Sequence, residues 1–134
     1  NHYALGSVGE WMWRYMAGID LLPGTVGFQR FLIRPVLTDK LEFVDAAYDS
    51  RYGKIAVRWD RRGMPNERSY DLSFTVPANT RATVRIPLLA AGSDVREGGA
   101  PIAQAEGIRV VGEEDGALVV EAAAGSYSVT VRAS

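Results

Sequence analysis

Paired carboxylates, one giving a proton and one activating water, are the commonest apparatus for cleaving a glycosidic bond, so the acids of this chain come first. Glu113, Glu114 and Asp115 are consecutive and run directly into Gly116 and a strand-like segment. Asp-Gly is a turn signal, and three adjacent acids in a turn read as solvated loop charge. The cluster also lacks the Asp-x-Asp-x-Asp-Gly order of a calcium loop. Glu42 and Asp45 flank another apolar run and Asp49 sits in its turn. They read as the polar side of a half-exposed strand, a position from which acids can line a groove. Glu10 is accounted for by a helix cap described below. No pair stands out as a general acid with its partner base.

Other chemistries are thinner still. His2 is the only histidine and there is no cysteine, which excludes a Ser-His-Asp arrangement around any other histidine, thiolate catalysis and His/Cys zinc sites. At the start of a chain His2 reads as a solvated residue. No Gly-x-Gly-x-x-Gly or Gly-Lys-Ser/Thr loop is present to cradle a phosphate. Aromatic faces can stack on sugars, but Trp59 alternates in phase with Ile55 and Val57 and reads as core. Trp11 and Trp13 belong to opposite sides of one helical segment. No cofactor and no metal follow from these residues.

Two kinds of element must position whatever site exists. Ser7 stands three residues before Glu10, the spacing of a capping box. Val8, Trp11, Met12, Tyr15, Met16 and Ile19 then fall on one face of a helix over residues 8–19, stopped by Gly18 and Pro23-Gly24. Trp13 and Ala17 lie off that stripe, so the helix is expected to pack on two sides. From about Phe28 the period changes to two. Ile55/Val57/Trp59, Tyr70/Leu72/Phe74/Val76, Ala82/Val84/Ile86 and Tyr127/Val129/Val131 each alternate with polar residues; weaker runs cover 31–34, 41–48, 107–111 and 117–122.

Turn residues separate these runs at 50–53, 63–66, 77–80, 98–99 and 115–116. The stretch 90–106 reads as loops around a short strand at Asp94–Glu97. The pattern predicts roughly seven to nine short antiparallel strands in a jelly-roll-like or immunoglobulin-like β-sandwich, preceded by one helix.

Composition fits one domain: 134 residues, 47% hydrophobic, with 15 basic and 16 acidic side chains for a net charge of −1. A chain without a basic surplus is not drawn to nucleic acid, and no apolar run is long enough for a membrane helix. No basic-then-apolar leader opens it, and the residues leave the compartment open.

The stretch Asn1-His2-Tyr3-Ala4-Leu5-Gly6-Ser7-Val8-Gly9-Glu10-Trp11-Met12-Trp13-Arg14 resembles the end of the catalytic barrel of bacterial α-L-rhamnosidases, glycoside hydrolase family 78. Ala17-Gly18-Ile19, Pro23-Gly24, Gly27-Phe28 and Ile33-Arg34-Pro35 are similar to that family's link into a C-terminal β-domain. Ala47-Tyr48-Asp49-Ser50, Tyr52-Gly53, Trp59, Val76-Pro77-Ala78-Asn79-Thr80, Ala82-Thr83-Val84, Ile86-Pro87, Glu97-Gly98-Gly99 and Gly125-Ser126-Tyr127 continue the likeness over almost the whole chain.

The resemblance implies that residues 1–27 are the last helix of an (α/α) six-fold barrel with its linker, and 28–134 a C-terminal β-sandwich. It implies a parent hydrolase that inverts configuration with two glutamates lying before the Asn-His-Tyr stretch. No catalytic residue would then lie in this chain, which alone would be an inactive, structural piece. His2 would contact a rhamnose hydroxyl in the intact enzyme only. The partners implied are an L-rhamnose-containing glycoside and the barrel that packs on the helix. Alone, the exposed helix face would promote self-association. The alternatives are a carbohydrate-binding module and a non-catalytic interaction domain of the same architecture.

Overall fold

The computed structural model describes residues 18–22, 29–37, 42–61 and 68–133. Alternating sequences produce strands here because a pleated chain sends successive side chains to opposite faces, so one face can be buried while the other stays wet. Among the described residues there are eleven strands: β1 (Ile19–Leu22), β2 (Gln29–Ile33), β3 (Phe43–Ser50), β4 (Gly53–Asp60), β5 (Ser69–Val76), β6 (Thr80–Pro87), β7 (Asp94–Glu97), β8 (Ala100–Pro101), β9 (Ile108–Glu114), β10 (Ala117–Ala122) and β11 (Gly125–Arg132). They form a five-stranded sheet, β1-β2-β6-β10-β9, and a six-stranded sheet, β3-β4-β5-β11-β7-β8. Phe31, Ile33, Val84, Ile86 and Val120 of the first sheet meet Val57, Trp59, Leu72, Phe74 and Val129 of the second in one buried cluster. This is a β-sandwich, as the alternation predicts.

Turn chemistry fixes the register. Asp115 and Gly116 both take positive φ (50° and 77°), the pair of left-handed conformations that joins β9 to β10 in a two-residue hairpin. Arg51 and Tyr52 cap the β3–β4 hairpin, where Ser50 Oγ donates to the Gly53 carbonyl at 2.7 Å. Between sheets, β5 passes to β6 through Pro77–Asn79, with Asn79 at φ 63° and Thr80 Oγ1 donating to the Pro77 carbonyl at 2.7 Å.

At a later crossing, from β10 to β11, the Tyr127 ring stacks on Phe74 with centroids 5.0 Å apart, and its hydroxyl donates to the Ala123 carbonyl at 2.7 Å. Burial pushes the phenol above its usual pKa, so it stays a donor. Tyr127→Phe is therefore expected to cost about 1–2 kcal/mol in urea unfolding, by leaving that carbonyl without its partner.

Two expectations need correction. The helix over residues 8–19 lies outside the described residues up to 17, but its last stripe position does not. Ile19 opens β1, is buried, and pairs with Ile33. Gly18, at φ 71°, is in a turn with its carbonyl taken by the Arg34 N–H at 2.8 Å, so the chain there has already left helical geometry. Among the described residues the only helical element is a single 3-10 turn, Ile102–Gln104. β1, which lies within residues 1–27, is an edge strand of the five-stranded sheet.

The sheets are also not wholly antiparallel: β2 and β6 pair in parallel, with Phe31 opposite Ala82 and Ile33 opposite Val84. The chain leaves β2 to build the β3-β4-β5 meander in the other sheet. It returns to β2's side in the same direction, a connection long enough for parallel pairing.

Candidate functional site

The acids singled out from the sequence do not converge. Asp45 on β3 and Asp60 on β4 do share a partner, but it is an arginine: Arg58 Nη1 donates to Asp45 Oδ2 at 3.0 Å and Nη2 to Asp60 Oδ2 at 2.7 Å. The same guanidinium lies over the Phe43 ring, 5.1 Å from its centroid. Beside it runs a shallow groove of about 140 Å³ on the outer face of the six-stranded sheet, floored by Ala56, Ser73, Thr75 and Ser126 and walled by Asp45 and Arg58. Its floor is made of small side chains because these positions alternate with the core residues Val57, Leu72, Phe74 and Tyr127. Asp45 thus does line a groove. Its oxygen is engaged by Arg58, however, and the groove is too small and open to enclose a sugar ring.

Glu114 and Asp115 border a second depression, about 480 Å³, at the corner of the five-stranded sheet, with Arg34, Arg85, Pro87, Gly116 and Ala117. Arg85 spans Glu114, with Nη1 to its carboxylate at 2.7 Å and Nη2 to its carbonyl at 3.0 Å. Asp115 occupies the hairpin turn, as its sequence context implies. Glu42, Asp49 and Glu113 are exposed. Asp71, unremarked in the sequence, accepts from Thr130 Oγ1 at 3.0 Å. Among the described residues no three His, Cys, Asp or Glu side chains are grouped to hold a metal ion. Tyr70 is a titratable group buried in the core; its hydroxyl donates to the Pro87 carbonyl at 2.6 Å, and burial drives its pKa far upward.

His2, Trp11 and Trp13 lie outside the described residues. The functional features that the sequence reading passed over are arginines, Arg58 and Arg85 above all. Part of the signal was present: both sit in the polar phase of strands whose other phase is core, but only Arg58 is opposite an acid, Asp45 on β3, whereas Arg85 is opposite Val119 and reaches Glu114 across β10.

Comparison with known proteins places this architecture. A family model described as the bacterial alpha-L-rhamnosidase C-terminal domain matches residues 18–100. That span begins at the turn that opens β1. An alpha-L-rhamnosidase of Streptomyces avermitilis is 37% identical over 131 residues, 98% of this chain and 11% of the relative. One of Formosa agariphila is 36% identical over 87 residues, 65% of this chain and 9% of the relative.

Among solved structures, the Streptomyces avermitilis alpha-L-rhamnosidase complexed with L-rhamnose aligns with a TM-score of 0.70 and 35% identity, covering 98% of this chain and 11% of that one. The alpha-L-rhamnosidase from Dictyoglumus thermophilum aligns with a TM-score of 0.73 at 24% identity, over 96% of this chain and 14% of that one, a likeness of fold. The chain spans about a tenth of the length of the curated relatives it matches.

Proposed function

The chain belongs to the bacterial α-L-rhamnosidase C-terminal domain family, and from that premise we propose that it is the structural β-domain of an enzyme that hydrolyses α-L-rhamnosyl linkages. In this reading the catalytic carboxylates lie elsewhere in the polypeptide. One observation carries it: residues 18–100 match the family's C-terminal domain, and five carboxylates of the described residues are tied to arginines. Asp45 and Asp60 hold Arg58, Glu114 holds Arg85, Glu121 holds Arg109 and Asp94 holds Arg96. Inversion needs two free carboxyl groups about 6.5–9.5 Å apart across a sugar, with room for a water.

This reading assigns the apolar residues Val8, Trp11, Met12, Tyr15 and Met16 to contact with the catalytic barrel. His2 is its contribution to sugar binding, made only when that barrel is present.

The test is an assay of 4-nitrophenyl α-L-rhamnoside hydrolysis by the 134-residue chain, run beside a nitrogen-15 NMR titration. L-rhamnose is taken to on the order of tens of millimolar, enough to reveal weak sugar binding. No hydrolysis and an unmoved spectrum are the expected results. Turnover would overturn the assignment. Shifts clustered around Asp45 and Arg58, or around Arg34 and Glu114, would make the domain a carbohydrate-binding module instead.

A further inference from the structure

The turn between β9 and β10 holds a peptide step able to react with itself. Asp115-Gly116 is the only Asp-Gly or Asn-Gly step in the sequence. The ladder ends at Glu114 and Ala117, so the Gly116 N–H lies outside it, and no other hydrogen bond among the described residues takes it up. The Asp115 carboxylate is exposed, and it too has no hydrogen-bond or ion-pair partner among the described residues. A Cβ at residue 116 would meet nothing within 4 Å, so the Gly116 nitrogen is open to approach from the side chain before it. Both residues border the depression of about 480 Å³, which gives water access to the step.

The turn is also strained. Asp115 takes φ 50°, a left-handed conformation that costs any residue with a side chain. Other aspartates are held differently. Asp45 and Asp60 hold Arg58, Asp94 holds Arg96, and Asp71 accepts from Thr130 Oγ1. Asp49 is exposed, but it is a ladder residue of β3 opposite Lys54, and the next nitrogen belongs to Ser50, which carries a side chain.

We propose that Asp115-Gly116 is a site of spontaneous isomerisation to isoaspartate in the folded domain. Carboxyl and amide are neighbours in the chain, so the reaction is intramolecular and needs no second protein. The Gly116 nitrogen attacks Cγ of the protonated Asp115 carboxyl group. An N–Cγ bond forms, and the carboxyl hydroxyl leaves as water with the amide proton. The resulting succinimide ring then takes up one water. Opening at the N–Cγ bond restores aspartate. Opening at the bond between the nitrogen and the main-chain carbon of residue 115 gives isoaspartate, whose chain runs through Cβ and Cγ and whose α-carboxylate is free. One water is lost and one gained, nothing is oxidised or reduced, and the mass is unchanged.

The product changes the hairpin. Its backbone is longer by one methylene, so Glu114 and Ala117 no longer meet across a two-residue turn. The Gly116 carbonyl moves away from the Leu88 N–H that it accepts from at 2.9 Å, and Glu114 shifts against Arg85. Isomerisation also releases residue 115 from its left-handed conformation, which favours the conversion. None of this depends on the structural reading above, and failure of either leaves the other standing.

Peptide mapping of the aged 134-residue chain tests the proposal. The folded chain is incubated for weeks in neutral buffer beside a sample unfolded in urea, and both are digested with trypsin. The fragment covering residues 110–132 contains a single aspartate, Asp115, so isoaspartate there splits one chromatographic peak into two of equal mass. The fragment covering residues 41–51, with Asp45 and Asp49, is the control. In the folded sample the second peak is expected to grow for 110–132 and to be absent for 41–51.

Growth in the urea sample alone would overturn the proposal, by showing that the folded hairpin protects the step. Equal growth in both fragments would overturn it as well, since the turn would then confer nothing. Asp115→Asn supplies a second readout in a hairpin that keeps its preferred turn residues. The amide loses ammonia in place of water, and the 110–132 fragment is expected to show the mass gain of deamidation sooner than the parent shows its second peak. An asparagine still intact in the folded variant after the same incubation would overturn the proposal.

Discussion

Gly18→Ala is expected to destabilise the domain by about 3 kcal/mol or more, among the largest effects open to a single methyl group. A Cβ at residue 18 would overlap the Arg34 carbonyl oxygen and carbon, so backbone, not a flexible side chain, has to move. The φ of 71° adds the left-handed penalty of about 1–2 kcal/mol for a residue with a side chain. The movement also opens the 2.8 Å bond from the Arg34 N–H to the Gly18 carbonyl and unzips β1 from β2 at Ile19, a buried residue.

Gly98→Ala supplies the control. Its φ is 60°, yet nothing lies within 4 Å of the added methyl, so only the conformational penalty of about 1 kcal/mol should appear. Urea unfolding of both variants separates clash from strain. Equal losses at the two positions would show that the β1–β2 junction yields more easily than its geometry implies.

That junction also shows where sequence reasoning reaches its limit. Ile55, Val57 and Trp59, or Tyr127, Val129 and Val131, declare a strand because period two over several residues has only one structural meaning when one phase is apolar. Ile19 satisfied a different period, completing a helical stripe begun at Val8, and a four-residue strand such as β1 offers too few positions to contradict it. What decides the matter is the pairing of Ile19 with Ile33, a contact that no local pattern encodes.

The parallel pairing of β2 with β6 was illegible for the same reason. Phe31 and Ala82 are neighbours only because three strands of the other sheet intervene in the chain. Local chemistry was readable where it was local: Asp115-Gly116 is the hairpin turn its residues promise. The tie between Arg85 and Glu114 was not, since it joins β6 to β9 across β10 and forms only in the assembled sheet. Acids are the familiar chemistry of hydrolysis, yet Asp45 and Glu114 hold arginines while Glu42, Asp49 and Glu113 are exposed.

Trp59→Ala is expected to cost about 3–5 kcal/mol, the range for deleting a large ring from a packed core. That is a large part of the roughly 5–15 kcal/mol by which a domain of this kind is stable. Trp59 is the largest of the fully buried side chains and sits on β4, a strand with a partner on each side: Val44 lies opposite it on β3 and Leu72 on β5. The loss therefore opens a cavity in the middle of a sheet, where neighbours are held by ladder bonds on both edges and cannot collapse into it.

The indole adds a second term of opposite sign. Its Nε1 is buried with no hydrogen-bond partner among the described residues, and an unmet buried donor costs about 1–3 kcal/mol. Trp59→Phe removes that donor while keeping an aromatic ring, so its cost should be far below that of the alanine variant, with the smaller volume and the relieved donor partly cancelling. Urea midpoints for the pair measure the two terms separately. A Phe variant as damaged as the Ala variant would mean that the indole nitrogen is satisfied after all, and that the core depends on it as a polar anchor as well as on its bulk.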